Sequence, residues 1–236
     1  MRCSIVIVVL LVLMQGCAGQ QRQVFSLGDF LNAKVLPYDS PLQIIYRIDD
    51  HRFVTLENYR DCNYGQAYYN DTRAGIKTGL GRASIENYKG RVINSDPAGR
   101  NIAFPSGAPP HLGTSDHGVD VGLLYSTDSG RSFAAMVYMQ HSFDPFEDSK
   151  NYSVFVTKDK LYIAKKWGDD DAYVVVSPMV PGIDLSRPYP PGIRGESFAA
   201  SKRPGVFSQF HTPSGQDRVI CDTSIKPTNP DASLLP

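Results

Sequence analysis

The stretch HLGTSDHGVD, residues 111–120, brings His111, Asp116, His117 and Asp120 close together. Imidazole and carboxylate groups are the materials of a zinc site or of an acid–base pair. Their spacing matches no hydrolase signature, and the polar, glycine-containing surroundings predict a surface loop. A second acidic run, WGDDDAY, puts Asp169, Asp170 and Asp171 into one bend where a calcium ion could meet carboxylate oxygens. The alternating ligand spacing of a calcium loop is missing, so a solvated turn is expected. AGIKTGLG at 74–81 contains Lys77 and Thr78 but lacks the first glycine of a phosphate-binding loop. No G-x-S-x-G is present, and SGAPP at Ser106 lacks the second glycine of a nucleophile elbow. Asn70 and Asn151 open N-x-S/T triplets. The expectation is a chain that is not an enzyme and that holds no metal and no cofactor.

The elements that would have to position such groups read as strands. Segments 43–48, 52–58, 65–71, 90–95, 101–105, 121–126, 132–139, 152–157, 160–167 and 172–179 are short and rich in β-branched and aromatic residues. They are separated by compact bends such as IDDHR, STDSG, TKDK and GDDD, so neighbours should pair antiparallel. With almost no helical period, the fold class predicted is all-β: an antiparallel meander, propeller-like, with a β-sandwich as the alternative. One β domain is expected over 41–228. From Pro181 the composition turns Pro/Gly-rich, which predicts an ordered C-terminal loop region. A last strand is expected in DRVICD and a flexible tail at 229–236. Tyrosines such as Tyr64, Tyr68, Tyr69, Tyr88 and Tyr138 suit half-buried packing or protein contacts equally.

The beginning of the chain carries an address. Arg2 precedes an apolar run from Ile5 to Met14. Ten helical residues rise about 15 Å, roughly half the hydrocarbon thickness, so the run predicts a secretory signal and no membrane span. It stops at Gln15-Gly16-Cys17, which resembles a bacterial lipobox. That resemblance implies cleavage after residue 16, lipidation of Cys17, and a tether over 17–40; ordinary cleavage a few residues later is the alternative. Ala18 after the cysteine implies an anchor on the periplasmic side of the outer membrane. Within the tether, LGDFLNAKVL is a short amphipathic candidate. Losing residues 1–16 removes Arg2 and no acid, leaving 23 Lys+Arg against 24 Asp+Glu. A near-neutral chain gives no electrostatic reason to expect nucleic acid. Cys3 leaves with the signal and Cys17 would carry lipid, so Cys62 and Cys221 remain to form a disulfide in an oxidising compartment.

STDSGRSF at 126–133 is similar to the Asp-box, a hairpin motif of sialidases and other β-propellers, through Ser126, Asp128, Gly130 and Phe133. Asp128 is expected to accept from backbone N–H groups two residues on, Gly130 to take a positive φ, and Phe133 to pack beneath the turn. YRID at Tyr46–Asp49 is similar to the sialidase Arg-Ile-Pro segment, with Asp49 in place of the proline. That activity also needs six blades, two further arginines, a Tyr–Glu nucleophile pair and an acid, for which the mature chain is too short, so Arg47 is expected to pair with Asp49 or Asp50 at a strand edge.

Longer stretches resemble one family. YRIDDHRFVTLENYRDCNYGQAYYNDTRAGIKT, HSFDPFEDSKNYSVFVTKDKLYI, GIDLSRPYPPGIRGESF and TPSGQDRVICDTSIKP are similar to the lipoprotein immunity proteins of bacterial type VI secretion that neutralise lipase effectors. The resemblance implies a periplasmic, lipid-anchored, catalytically empty antidote that binds a cognate lipase effector stoichiometrically. Contact is expected from the 106–120 and 181–204 loops, with Arg187, Tyr189 and Arg194 as anchor candidates. An envelope- or glycan-binding lipoprotein without catalytic activity is the competing reading.

Overall fold

A computed structural model describes residues 36–112 and 114–232. The leader 1–16, Cys17, the tether up to residue 35 with nearly all of its amphipathic candidate, and residues 233–236 lie outside the described residues. Three sheets form, and each contains a run of sequential antiparallel neighbours. The first is β1 (Gln43–Arg47), β2 (Arg52–Asp61), β3 (Tyr64–Asp71) and β4 (Ile76–Arg82). The second is β6 (Ile102–Pro105), β7 (Val119–Ser126) and β8 (Ala134–Ser142). The third joins β9 (Tyr152–Val156), β10 (Lys160–Trp167), β11 (Asp171–Pro178) and β12 (Glu196–Ala199), with β5 (Arg91–Asn94) added beside β9. The all-β, antiparallel expectation holds, and no sheet closes into a barrel. The exception to antiparallel pairing is β5, which runs parallel to β9. Among the described residues one short α-helix, α1 (Pro145–Asp148), starts on Asp144, whose carboxylate accepts from the N–H of Glu147 at 3.1 Å, with proline in its first turn.

Two strands escaped the sequence pattern. β4 holds glycines at 79 and 81, which weaken the strand signal; it is the segment whose glycines, lysine and threonine suggested phosphate chemistry. β12 is four residues long and sits in the Pro/Gly-rich region. The strand expected in DRVICD does not form. Its hydrogen bonds alternate between two partners: Asp217 O accepts from Val92 N on β5 at 2.9 Å, whereas Ile220 N donates to Ile45 O on β1 at 2.8 Å. A chain that switches partners within three residues stitches two sheets together and builds no ladder. Cys221 in this segment is bonded to Cys62 at the β2–β3 turn, 159 residues away in sequence.

The main core lies between the sheets. Tyr46, Val54, Leu56, Tyr69, Phe104, Leu123, Val154, Leu161 and Ile163 all belong to it. The third sheet is buried on its other face as well, where Ile93, Phe155, Tyr162, Val174 and Val176 form a second cluster. Phe207 and Phe210 from the C-terminal region cover that face, Phe207 stacking on Phe155 with centroids 4.3 Å apart. Burial on both faces explains the uninterrupted apolar runs SVFV and LYIA. Asn94 joins the second and third sheets: its Nδ2 donates to Ala103 O at 3.1 Å, and Ala103 N donates to its Oδ1 at 2.8 Å.

Candidate partner-binding face

The residues that could have formed a metal or acid–base centre are not brought together. Among the described residues, one group of three possible ligands lies within reach of one another, Asp49, Asp50 and His51, and it does not include His111, Asp116, His117 or Asp120. Asp120 accepts from the backbone N–H of His141 at 3.1 Å, and His117 offers its carbonyl to His141 Nδ1 at 3.2 Å. The 106–120 loop is itself divided, because residues 106–109 are buried and the surface part begins at Pro110. In the β1–β2 turn, Asp49 is engaged by the Arg52 guanidinium at 2.6 Å, and Asp50 by Arg73 at 2.6 Å. Burial pushes the Asp49 carboxyl up, but its hydrogen bonds from Arg52 and His51 outweigh this and hold it below the usual carboxylate value. Arg47, expected to pair with one of these acids, lies instead over the Phe53 ring, 5.5 Å from its centroid. Of the three acids in the β10–β11 turn, Asp171 is taken by the N–H and hydroxyl of Ser201, at 2.9 and 2.7 Å.

The β7–β8 turn is organised around Ser126 and Asp128. The N–H of Gly130, two residues beyond Asp128, donates to Ser126 Oγ at 2.8 Å, so it is not Asp128 that receives it. Asp128 accepts from the N–H and hydroxyl of Ser132 at 3.0 and 2.6 Å, and from the Ser126 hydroxyl at 2.7 Å. Gly130 has φ +79°, and a Cβ there would stand 2.1 Å from the Tyr69 ring. Phe133 is buried against Tyr69 and Phe104, with centroids 5.9 and 5.8 Å away. The turn therefore locks the second sheet against the first, and its carboxylate points at its own backbone. Asp128→Ala is expected to lower stability by about 1–2 kcal/mol and to leave partner binding unchanged; urea denaturation beside a binding assay checks both.

The Pro/Gly-rich region is pinned by Tyr125. Its hydroxyl accepts from Leu185 N at 2.7 Å and donates to Ile183 O at 3.2 Å. From this anchor the loop runs along β11 and leaves an open depression lined by Tyr173, Val175, Tyr189, Ile193 and Arg194. Tyr189 is held there by donating to Ser177 Oγ at 3.0 Å, with its ring over Gly195, where a Cβ would come within 2.9 Å of the ring. Arg194 is exposed at the rim and forms no ion pair among the described residues. Arg187 is not part of this wall; its guanidinium is 80% exposed and pairs with Asp184 at 3.0 Å. Tyr189 and Arg194 thus share one surface with Tyr173 and Val175, which sequence reading did not assign to it, and Trp167 stands exposed at the end of β10. The signal for Trp167 was available: the chain's single tryptophan stands at a strand end beside a charged turn.

The described surface presents an open depression lined by Tyr173, Val175 and Tyr189, with Arg194 at its rim. No curated protein matches the chain. A family model does: residues 38–165, more than half of the 236, match the model described as T6SS Tli3 immunity protein, and the chain belongs to that family.

Proposed function

We propose that the protein is the exported antidote to a type VI secretion lipase or phospholipase effector, which it binds and blocks stoichiometrically in the periplasm. Membership of the immunity family carries this reading. The lipase target follows from the resemblance of the longer sequence blocks to lipase-immunity lipoproteins, and the site of action from the apolar leader that ends at Cys17. A lipase released into the periplasm meets membrane lipid at once. Its antidote is most effective if exported, tethered beside the membrane by lipid on Cys17, and rigid enough to bind without reorganising. The dense packing on both faces of the third sheet and the Cys62–Cys221 bridge supply that rigidity. The 181–204 loop and the exposed part of the 106–120 loop are the proposed contact regions, meeting the effector near the entrance to its lipid-binding cleft.

The test is co-expression with a lipase encoded by a neighbouring gene, directed to the periplasm. Cells carrying the exported protein should survive, and cells carrying a form without residues 1–16 should lyse. Equal lysis with and without the exported protein would refute the reading. In the same strain, Cys17→Ser should abolish palmitate incorporation.

A further inference from the structure

On the proposed reading that the partner is a lipase effector, we infer that the effector docks on the uncovered end of the third sheet, with Trp167 and Tyr173 as apolar anchors and Arg194 meeting a carboxylate. Residues directly opposite one another on neighbouring antiparallel strands share a face. Ile163 pairs with Val175, Lys165 with Tyr173, and Trp167 with Asp171, so these six residues lie on one face of β10 and β11. At its covered end this face is core: Ile163 and Val154 are buried against the other sheets. Toward the β10–β11 turn the other sheets no longer cover it. There Trp167 is 66% exposed, Tyr173 46% and Val175 39%. The loop after β11 walls this end with Tyr189 and Arg194 and does not close over it.

Exposed apolar residues scattered singly are ordinary, whereas Tyr173, Val175, Tyr189 and Arg194 around one depression, with Trp167 exposed on the same sheet face, have the composition of an interface hot spot. The charges define the occupant. Lys165 lies over the Tyr152 ring at 5.6 Å with no carboxylate partner among the described residues, and Arg194 likewise has none. Asp169 and Asp170 make the β10–β11 turn acidic. A matching surface therefore carries an apolar side chain for the Trp167–Tyr173 floor, and acidic groups toward Arg194 and Lys165, away from the turn. A loop of the effector protein that carries an apolar side chain beside acidic groups meets both requirements. The position also suits specificity, which is a difference between affinities for related partners. Trp167, Tyr173, Tyr189 and Arg194 all lie beyond residue 165, where the match to the shared family segment ends.

The experiment measures binding of the full exported chain to the neighbouring lipase, its nucleophile substituted, by biolayer interferometry, with lipase inhibition read on the active enzyme. Trp167→Ala should weaken binding on the order of 30-fold or more. Arg194→Glu should slow association and reduce its salt dependence. Val137→Glu, an exposed position on the separate strand β8, should change neither. Unchanged melting temperatures would show that the variants keep their fold. Wild type that binds while Trp167→Ala, Tyr173→Ala and Arg194→Glu all stay within about threefold would overturn the docking site and leave the immunity function intact. Wild type that does not bind at all would remove both. If Trp167→Ala instead abolishes self-association in light scattering, with effector binding preserved, the face is a contact between copies and the inference is wrong.

Discussion

Replacing Cys62 and Cys221 together with serine is expected to lower unfolding stability by about 2–5 kcal/mol and the melting temperature by roughly 5–20 °C. The bridge closes 159 residues, and the chain-entropy relation gives about 5 kcal/mol for a loop of that length. The native state should change little, because the segment it holds has other attachments. Gln43 brackets Asp222, accepting from its N–H at 2.8 Å and donating to its carbonyl at 3.1 Å. Ile220 N donates to Ile45 O at 2.8 Å, and farther along the Thr228 N–H and hydroxyl both donate to Asp39. The loss therefore arises mainly from a freer unfolded chain, so effector affinity measured well below the melting temperature should be preserved. Dithiothreitol should shift wild-type melting to that of the double variant and leave the variant unmoved. A double variant that melts with wild type would show that the bridge adds no net stability and would overturn the chain-entropy reading.

The bridge also shows what was legible in the sequence. With Cys3 and Cys17 assigned to export, two cysteines remained, and their pairing required no knowledge of the fold. The strand runs through Val154 and Leu161 were equally open to reading, because burial on both faces writes itself as continuous apolar sequence. DRVICD was misread because its composition is strand-like while its partners alternate, and pairing is a property of neighbours. The docking face was hidden for a related reason. Trp167, Tyr173 and Arg194 belong to two strands and a loop, and a strand's alternation does not reveal where the opposing sheet ends. In the acidic bend the carboxylates attracted attention, yet Asp171 is committed to Ser201 and the tryptophan before the bend is the exposed feature. Tyr189 and Arg194, chosen from the loop's composition, line the depression, whereas Arg187, of the same type as Arg194, pairs with Asp184 three residues before it.

Glu86→Gln is expected to remove a pH dependence from the protein's stability. Glu86 is 3% exposed in the short 3-10 turn Ile85–Asn87. One carboxylate oxygen accepts from the N–H and hydroxyl of Ser84 at 3.0 and 3.3 Å; the other is buried without a partner. Burial pushes the carboxyl up to about 7, and the hydrogen bonds from Ser84 only partly offset it. The unfolded chain ionises this group near the ordinary glutamate value, so between that value and 7 the folded state holds the proton more tightly. The stability that protonated Glu86 contributes is therefore complete below the unfolded value and is lost as pH rises through 7. The displacement corresponds to about 3 kcal/mol, so wild type should lose roughly that much, relative to Glu86→Gln, between mildly acidic and mildly alkaline buffer. Carboxylates held low, such as Asp49 and Asp128, act in the opposite direction at lower pH. They are common to both proteins, so the difference isolates Glu86. Chemical denaturation of both proteins across this range decides it: parallel stability curves would mean that the carboxyl finds a partner or water when ionised. A falling difference would mean that the carboxyl ionises in place, at a cost to the folded state.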